Sequence, residues 1–378
     1  FRLDSGTYFR PSIDDNASHD TKVVALGPAP ESMRLNGERA FNGCSSLEAF
    51  DATVDATGGT NFSNAWRGCT SLTSFPLINT AAGENFSYAW DSCNSLTSFP
   101  LIDTSSGTDF SFAWRDCNSL TSFPLIDTSS GTNFSSAWRS CSSLTTFPLI
   151  NTSSGTNFYQ AWRSCSSLTT FPLINTSSGT NFYRAWNGCS SLTSFPLIDT
   201  SSGTNFREAW SNCSSLTSFP LINTAAGTNF YRTWRRCSSL TSFPLIDTSS
   251  GTNFGGTWSG CSSLTSFPLI NTAAGTDFDG TWSGCSSLTD FPANFFDYWT
   301  GTPEDNCFVN AWLNCSALTA TSVENILNSI DTSGQSAPAS GVDITIDYNA
   351  GTGTPSVATA ITNLKSRGWT ITLNGVAQ

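Results

Sequence analysis

The chain has 378 residues, with 16 Lys and Arg against 28 Asp and Glu, a formal net charge of −12. That balance excludes a track for nucleic-acid phosphates, which needs a clustered positive stripe. No run of about 18 apolar residues occurs, so no helical segment is expected to span a membrane. Charged residues make up 12%, and Ser, Thr, Gly and Asn abound, a composition common in extracellular and virion fibres. The first residue is Phe1, with no apolar signal region behind it. This reads as a piece processed or excised from a longer protein.

Taken in chain order, residues 1–40 are expected to shield the open end of a repeat array. Phe41, Cys44, Leu47 and Phe50 form a degenerate first unit. Ten near-copies of one 24-residue unit come next, marked by Cys69, Cys93, Cys117 and their equivalents through Cys285, each with a Trp three residues earlier, from Trp66 to Trp282. A fixed period of this kind marks a solenoid, in which each unit buries its apolar face only against its neighbours. In the unit from Thr156 to Ser178, Phe158, Ala161, Trp162 and Cys165 fall at i, i+3, i+4 and i+7. That spacing predicts a short helix of about two turns, with Asn157 or Thr156 as N-cap. Leu168, Phe171 and Leu173 come after it as LxxLxL, which predicts a short strand with those side chains inward. Pro76, Pro100 and their equivalents each come directly after the strand Phe, so the extended segment is expected to be short and partly polyproline-like. The Ile ladder (Ile78, Ile102, Ile126, Ile150) either faces out or packs under the turn.

Equivalent Cys residues in stacked units point the same way about 4.8 Å apart, so their Cβ vectors run parallel instead of converging. The 13 Cys are therefore expected to form a buried thiol ladder without disulfides. His19 is the only histidine and no Cys/His cluster occurs, so neither a metal site nor a cofactor is assigned.

After the tenth unit an insertion carries Phe295, Phe296 and Trp299, and Phe308, Ala311, Trp312, Cys315 and Leu318 make a last unit. Thr321 and Glu324 read as a capping box for a helix with Val323, Ile326, Leu327 and Ile330 on one face. Val342, Ile344 and Ile346 alternate as a strand. A second helix is expected from Pro355 to Gly368, and Trp369, Ile371 and Leu373 alternate as a closing strand. The organisation read from the sequence is an N-terminal cap over 1–40, a solenoid over 41–320 and a C-terminal α/β cap over 321–378. The fold class is an α/β solenoid, a right-handed, leucine-rich-repeat-like coil of 24-residue repeats capped at both ends.

The segment AFNGCSSL from Ala40 to Leu47 resembles the BspA-like leucine-rich repeats, whose units carry AFxxCxSL, and later units such as AWRSCSSLTTFP resemble a Trp variant of them. The tail, SVENILNSIDTSG through SRGWTITLNG, is similar to the ends of many phage tail-fibre and bacterial surface proteins built from these repeats. The resemblance implies an extracellular adhesive or receptor-binding protein without catalysis, on a bacterial cell surface or a phage virion.

The near-copies also supply an internal comparison. Variation concentrates at the two residues after the Phe and the two after the Trp, which a helical period would place outward. Tyr and Arg, frequent interface anchors, recur there, while Lys22 and Lys365 are the only lysines. Tyr159, Arg163, Tyr183, Arg184, Arg207, Tyr231, Arg232, Arg235 and Arg236 are the candidate ligand-binding residues, suited to a cell-surface glycan or a protein receptor. The alternative is a structural subunit of a filament, sheath or virion decoration, with further copies of itself as partner through the Ile or Pro ladder. A second ladder of Asn and Asp (Asn79, Asp103, Asp127, Asn151) is expected to close turns on nearby amides; two carboxylates fall short of the six or more oxygens Ca²⁺ takes. With one histidine and no GxSxG, HExxH or phosphate-cradling loop, no catalytic residue is assigned.

Overall fold

A computed structural model describes residues 25–26, 37–50 and 56–378. His19 and almost all of the expected N-terminal cap lie outside the described residues. Two short strands, β1 (Ala25–Leu26) and β2 (Ala49–Phe50), pair in parallel ahead of the repeats. The chain divides into two compact units, Phe1–Gly179 and Thr180–Gln378.

In the first unit the 24-residue coils stack through an alternation of peptide hydrogen bonds. The N–H groups of Phe62, Asn64, Trp66 and Gly68 donate to the carbonyls of Asn85, Ser87, Ala89 and Asp91 in the next coil, at 2.7–2.9 Å. Between them, Ala65, Arg67 and Cys69 donate three residues back, to Phe62, Asn64 and Trp66, at 3.1–3.3 Å. Ser63 N–H is met by the Asn61 side chain at 2.9 Å. Every N–H from Phe62 to Cys69 thus has a partner, as a buried backbone requires.

This arrangement corrects the expected two-turn helix. A helix would use all its N–H groups internally, whereas here half of them leave for the neighbouring coil. Overlapping β-turns replace the helix, and they need a residue with positive φ twice per coil. Asn64 (φ 56°) and Gly68 (φ 73°) supply it in one coil, Tyr88 (57°) and Ser92 (63°) in the next. Trp, Cys and Phe still point inward, because the turns repeat with the same residue spacing.

The expected inward strand is also corrected. No coil between Phe62 and Leu288 holds a continuous strand; isolated parallel bridges such as Asn85↔Asp109 stand in its place. Ile102 N–H donates back to the Pro100 carbonyl at 3.0 Å, a γ-turn with Leu101 at its apex. Ile102 is buried and Leu101 is 62% exposed. The Ile therefore packs under the turn, and the Leu expected inward stands in solvent. The Asn/Asp ladder closes turns: the Asp103 carboxylate accepts from Ser105 N–H and Oγ at 3.0 and 2.7 Å.

Three aromatic columns fill the interior. Trp66, Trp90, Trp114, Trp138 and Trp162 stack with centroids 5.2–5.5 Å apart and planes within 7°. Phe75 stands edge-on to Trp66 and Trp90 at 4.8 and 5.2 Å, and Phe86 stacks on Phe110 at 5.5 Å. Both offset-parallel and T-shaped contacts are favoured arrangements of ring quadrupoles. The indole N–H groups of Trp90, Trp114 and Trp138 find no oxygen or nitrogen acceptor among the described residues.

All 13 cysteines are free and buried. Interior thiols donate to the carbonyl of the Trp one coil back, as Cys117 Sγ does to Trp90 at 3.2 Å, so sulfur is a coil-to-coil donor as well as a small apolar filler. Glycine is required at Gly107, where a Cβ would lie 2.5 Å from Phe110 Cζ.

The second unit repeats the scheme, with Trp186, Trp210, Trp234, Trp258, Trp282 and Trp312 stacked at 5.2–6.0 Å. It ends on helix α1 (Ala320–Ser333), strand β3 (Val342–Ile346), helix α2 (Ala358–Ser366) and strands β4 (Trp369–Leu373) and β5 (Val376–Ala377). The sheet order is β3-β4-β5, with β3 and β4 parallel, and a parallel bridge from Ile346 to Trp312 joins β3 to the last coil. The α1 N-cap is Thr319, whose side chain accepts from Ser322 N–H, not Thr321 as the capping-box spacing suggested. Glu324 instead accepts from Ser356 N–H at 2.7 Å. Helix α2 begins at Ala358, three residues past Pro355. Phe295, Phe296 and Trp299 of the insertion are buried, with Trp299 Nε1 donating to the Gly275 carbonyl at 2.6 Å.

Substitution and labelling both test this packing. Trp138→Phe should cost no more than about 1–2 kcal/mol, since it removes an unpaired N–H along with ring area, whereas Trp138→Ala should cost about 4 kcal/mol; urea denaturation of both variants measures the difference. A thiol reagent should modify almost none of the 13 cysteines in the native chain at pH 8 and all of them after unfolding, because burial pushes thiols such as Cys261 and Cys315 up to about 12.

Candidate functional site

The variable positions after Phe and Trp lie on the turn face, placed there by the positive-φ turns. Gly and Asn adopt positive φ at low cost, whereas for a bulky side chain it costs about 1–2 kcal/mol. At the second residue after Phe the chain uses Asn64, Gly256, Gly280 and Asn310 in some coils, but Tyr88, Phe112, Arg184, Glu208 and Arg232 in others, all at φ between 54° and 61°. At the second residue after Trp it uses Gly68, Gly188, Gly260 and Gly284, but Ser92, Asp116, Ser140, Ser164, Asn212 and Arg236 elsewhere, at φ between 59° and 63°.

In the first unit Tyr88 stacks on Phe112 at 4.4 Å. Asp91, fully buried, accepts hydrogen bonds from Nε and Nη2 of Arg115 at 2.8 and 2.7 Å and from Nε of Arg67 at 3.1 Å. The two guanidinium groups cover the Tyr88 ring at 5.3 and 5.6 Å. Two candidates belong here: Tyr159 Oη accepts from Gln160 Nε2 at 2.7 Å, and Arg163 donates to Gln160 Oε1 at 3.3 Å. They form a closed, half-buried polar patch.

The second unit brings the remaining candidates together. Arg184 grips Glu208 with two hydrogen bonds of 2.8 and 3.0 Å, and Arg207 lies 3.6 Å from the same carboxylate. Burial alone would push the Glu208 carboxyl up; Arg184, then Arg207 and Arg232, outweigh it and hold the group below its usual range. The Arg207 guanidinium lies between the rings of Tyr183 and Tyr231, at 5.3 and 4.8 Å. Arg184 and Arg207 are therefore committed to Glu208 and the rings, and are only partly open to a ligand.

Arg232, Arg235 and Arg236 differ. None makes an ion pair within 4.0 Å among the described residues. Arg232 covers the Tyr231 ring at 4.7 Å. Burial, then the charges of Arg236 and Arg232, pushes Arg235 below its usual pKa, the sign of a local excess of positive charge. The next coil has glycine at three of the equivalent positions, with the Asp277 carboxylate 2.8 Å from where a Gly255 Cβ would stand and Asp279 within electrostatic reach of Arg232. A Cβ on Gly255 would lie 3.1 Å from the Tyr231 ring, one on Gly256 3.0 Å from Arg232 Cγ, and one on Gly260 3.2 Å from Arg236 Cγ. Two arginines and a tyrosine thus lie over a glycine shelf, with Arg235 between them over Ser259.

Asp91 and Glu208 fall at the variable positions read from sequence but are not among the candidate residues, and the three shelf glycines were missed. Aligning the coils at their 24-residue period shows glycine at three variable positions together, which is the signal that marks the shelf.

No family model and no curated protein matches the chain. Among solved structures it is similar to a leucine-rich-repeat protein of T. pallidum (17% identity over 51% of this chain and 76% of that one, TM-score 0.29). It is similar also to an internalin of Listeria monocytogenes (12%, 71% and 86%, 0.26) and to TLR13 in its complex with ssRNA13 (15%, 89% and 47%, 0.28). Likenesses this slight carry no functional argument. No described helix is long and apolar enough to cross a membrane.

Beside the shelf, burial raises the pKa of Asp277 to about 6. The native state then holds its proton more tightly than the unfolded chain does, so the associated stability is present below about pH 4 and lost as pH rises through about 6. Asn occupies the equivalent position in other coils (Asn229, Asn253). Asp277→Asn should stabilise the protein by on the order of 2 kcal/mol at about pH 7 and by almost nothing at about pH 4, as denaturation at the two pH values would show.

Proposed function

We propose that this chain is a non-catalytic, extracellular receptor-binding module of the adhesin or tail-fibre kind, built on a leucine-rich-repeat-like coil. In this reading it recognises an anionic group on a cell-surface glycan or protein through Tyr231, Arg232, Arg235 and Arg236. The carrying observation is the charge cluster: three arginines in one coil, none with an ion pair within 4.0 Å among the described residues, beside the turn-face ring of Tyr231. Arg232 and Arg236 occupy positive-φ positions that glycine fills in the following coil, and strain of this kind concentrates at functional sites. The unpaired charge of the triad, the planar guanidinium forks suited to carboxylate or sulfate and the face of Tyr231 together match an acidic saccharide.

The test is a glycan array of sialylated, uronate-containing and sulfated saccharides, followed by calorimetry on the best binder. Arg232→Gly with Arg236→Gly should abolish binding while raising stability by about 1 kcal/mol per site. Wild-type affinity should fall as salt rises. Binding that survives the double substitution, or an array without an acidic binder, sinks this reading.

A further inference from the structure

The opposite chemistry lies on the Pro-Leu-Ile segments. In the first unit Leu77, Leu101, Leu125, Leu149 and Leu173 are each 60–64% exposed, one per coil. In the second unit Leu197, Leu221, Leu245 and Leu269 are 52–62% exposed. The only other exposed large apolar side chains among the described residues are Tyr298 and Val376. In eight of the nine coils a γ-turn accompanies this: Pro100 has a fixed φ and no N–H, Ile102 N–H returns to its carbonyl, and the apex side chain stands outward. The backbone N–H and C=O of Leu101 make no backbone hydrogen bond among the described residues. The turn itself does not require leucine, since any residue can occupy its apex. Yet leucine fills the position in nine coils running, while the turn-face positions change from coil to coil.

We propose that the leucine ladder is a homotypic interface, through which two copies of this chain pair ladder to ladder, antiparallel about a two-fold axis. Three observations favour a second copy as the occupant. Leucines rising once per coil stay in register only with a partner of the same pitch, and another copy of this chain has that pitch. A two-fold arrangement lets one patch serve both partners and closes the assembly. The area is sufficient. At about 100 Å² for each exposed Leu, five leucines of the first unit bury about 1,000 Å² over two copies, near the threshold of a specific interface before the flanking prolines are added.

Charge sets the conditions. Asp103, Asp127, Asp199 and Asp247, each two residues past a ladder Leu and exposed, line the rim of such a dimer, and each copy carries −12. Like charges facing one another oppose pairing, so salt should strengthen it, the reverse of the salt effect on the arginine triad.

The test is sedimentation equilibrium on the full chain across the micromolar range at low and high salt. The wild type should pass from monomer to dimer with concentration, with at least a several-fold tighter dissociation constant at high salt. A variant with Leu101→Ser, Leu149→Ser, Leu221→Ser and Leu245→Ser should remain monomeric with an unchanged tryptophan emission spectrum, because these side chains leave the core intact. The Arg232→Gly, Arg236→Gly variant should dimerise like the wild type, which separates this interface from receptor binding. A wild type that stays monomeric throughout overturns the proposal and leaves the ladder to a different partner; association undiminished in the serine variant overturns it equally.

Discussion

Each coil shares its peptide N–H groups between itself and its neighbour, and the rest of the molecule depends on that division. From Phe62 to Cys69 alternate donors turn back three residues or reach across to the next coil. Neither half suffices alone: without the internal bonds the turns have nothing to hold them, and without the outward bonds buried amides would lack partners. Individual coils of this kind cannot be stable units, so order must spread by stacking. The same division fixes the aromatic columns, because coils joined at one peptide per two residues must place equivalent rings one above another.

The division has a conformational cost, two positive-φ residues per coil, and function is best read from how the chain meets it. Where Gly68, Gly256 or Gly284 stands, the requirement is met with little strain. Where Arg232 and Arg236 stand, it is met by long cationic side chains without an ion pair within 4.0 Å among the described residues. Arg184 and Glu208 show an intermediate case, two strained residues in neighbouring coils that hydrogen-bond each other. At the triad Arg232 covers a tyrosine ring, but no carboxylate lies within ion-pair distance of it among the described residues.

The two faces of the coil thus carry separable chemistry. The turn face varies and collects charge, and the γ-turn face repeats and collects leucine.

The sequence by itself determined the period, the stacked interior of Trp, Phe and Cys, the absence of disulfides and the location of variable positions, because all of these arise from equivalent residues recurring at equal intervals. The order of helices and strands after the last coil was legible from simple periodicity too, in the alternation of Val342, Ile344 and Ile346 and the apolar face of α1. Only the tertiary structure decided that the turn segment is not a helix, since a 3.6-residue period and a run of overlapping turns place Phe158, Ala161, Trp162 and Cys165 alike on the inside. It also decided that Leu101 faces out while Ile102 faces in, because hydropathy does not mark which of two adjacent aliphatic residues packs under the turn. The arginine triad lay between these cases. Its residues were visible as variable cations, but which arginines are engaged by Glu208 and which lie open depends on contacts between coils, and a linear pattern does not contain them.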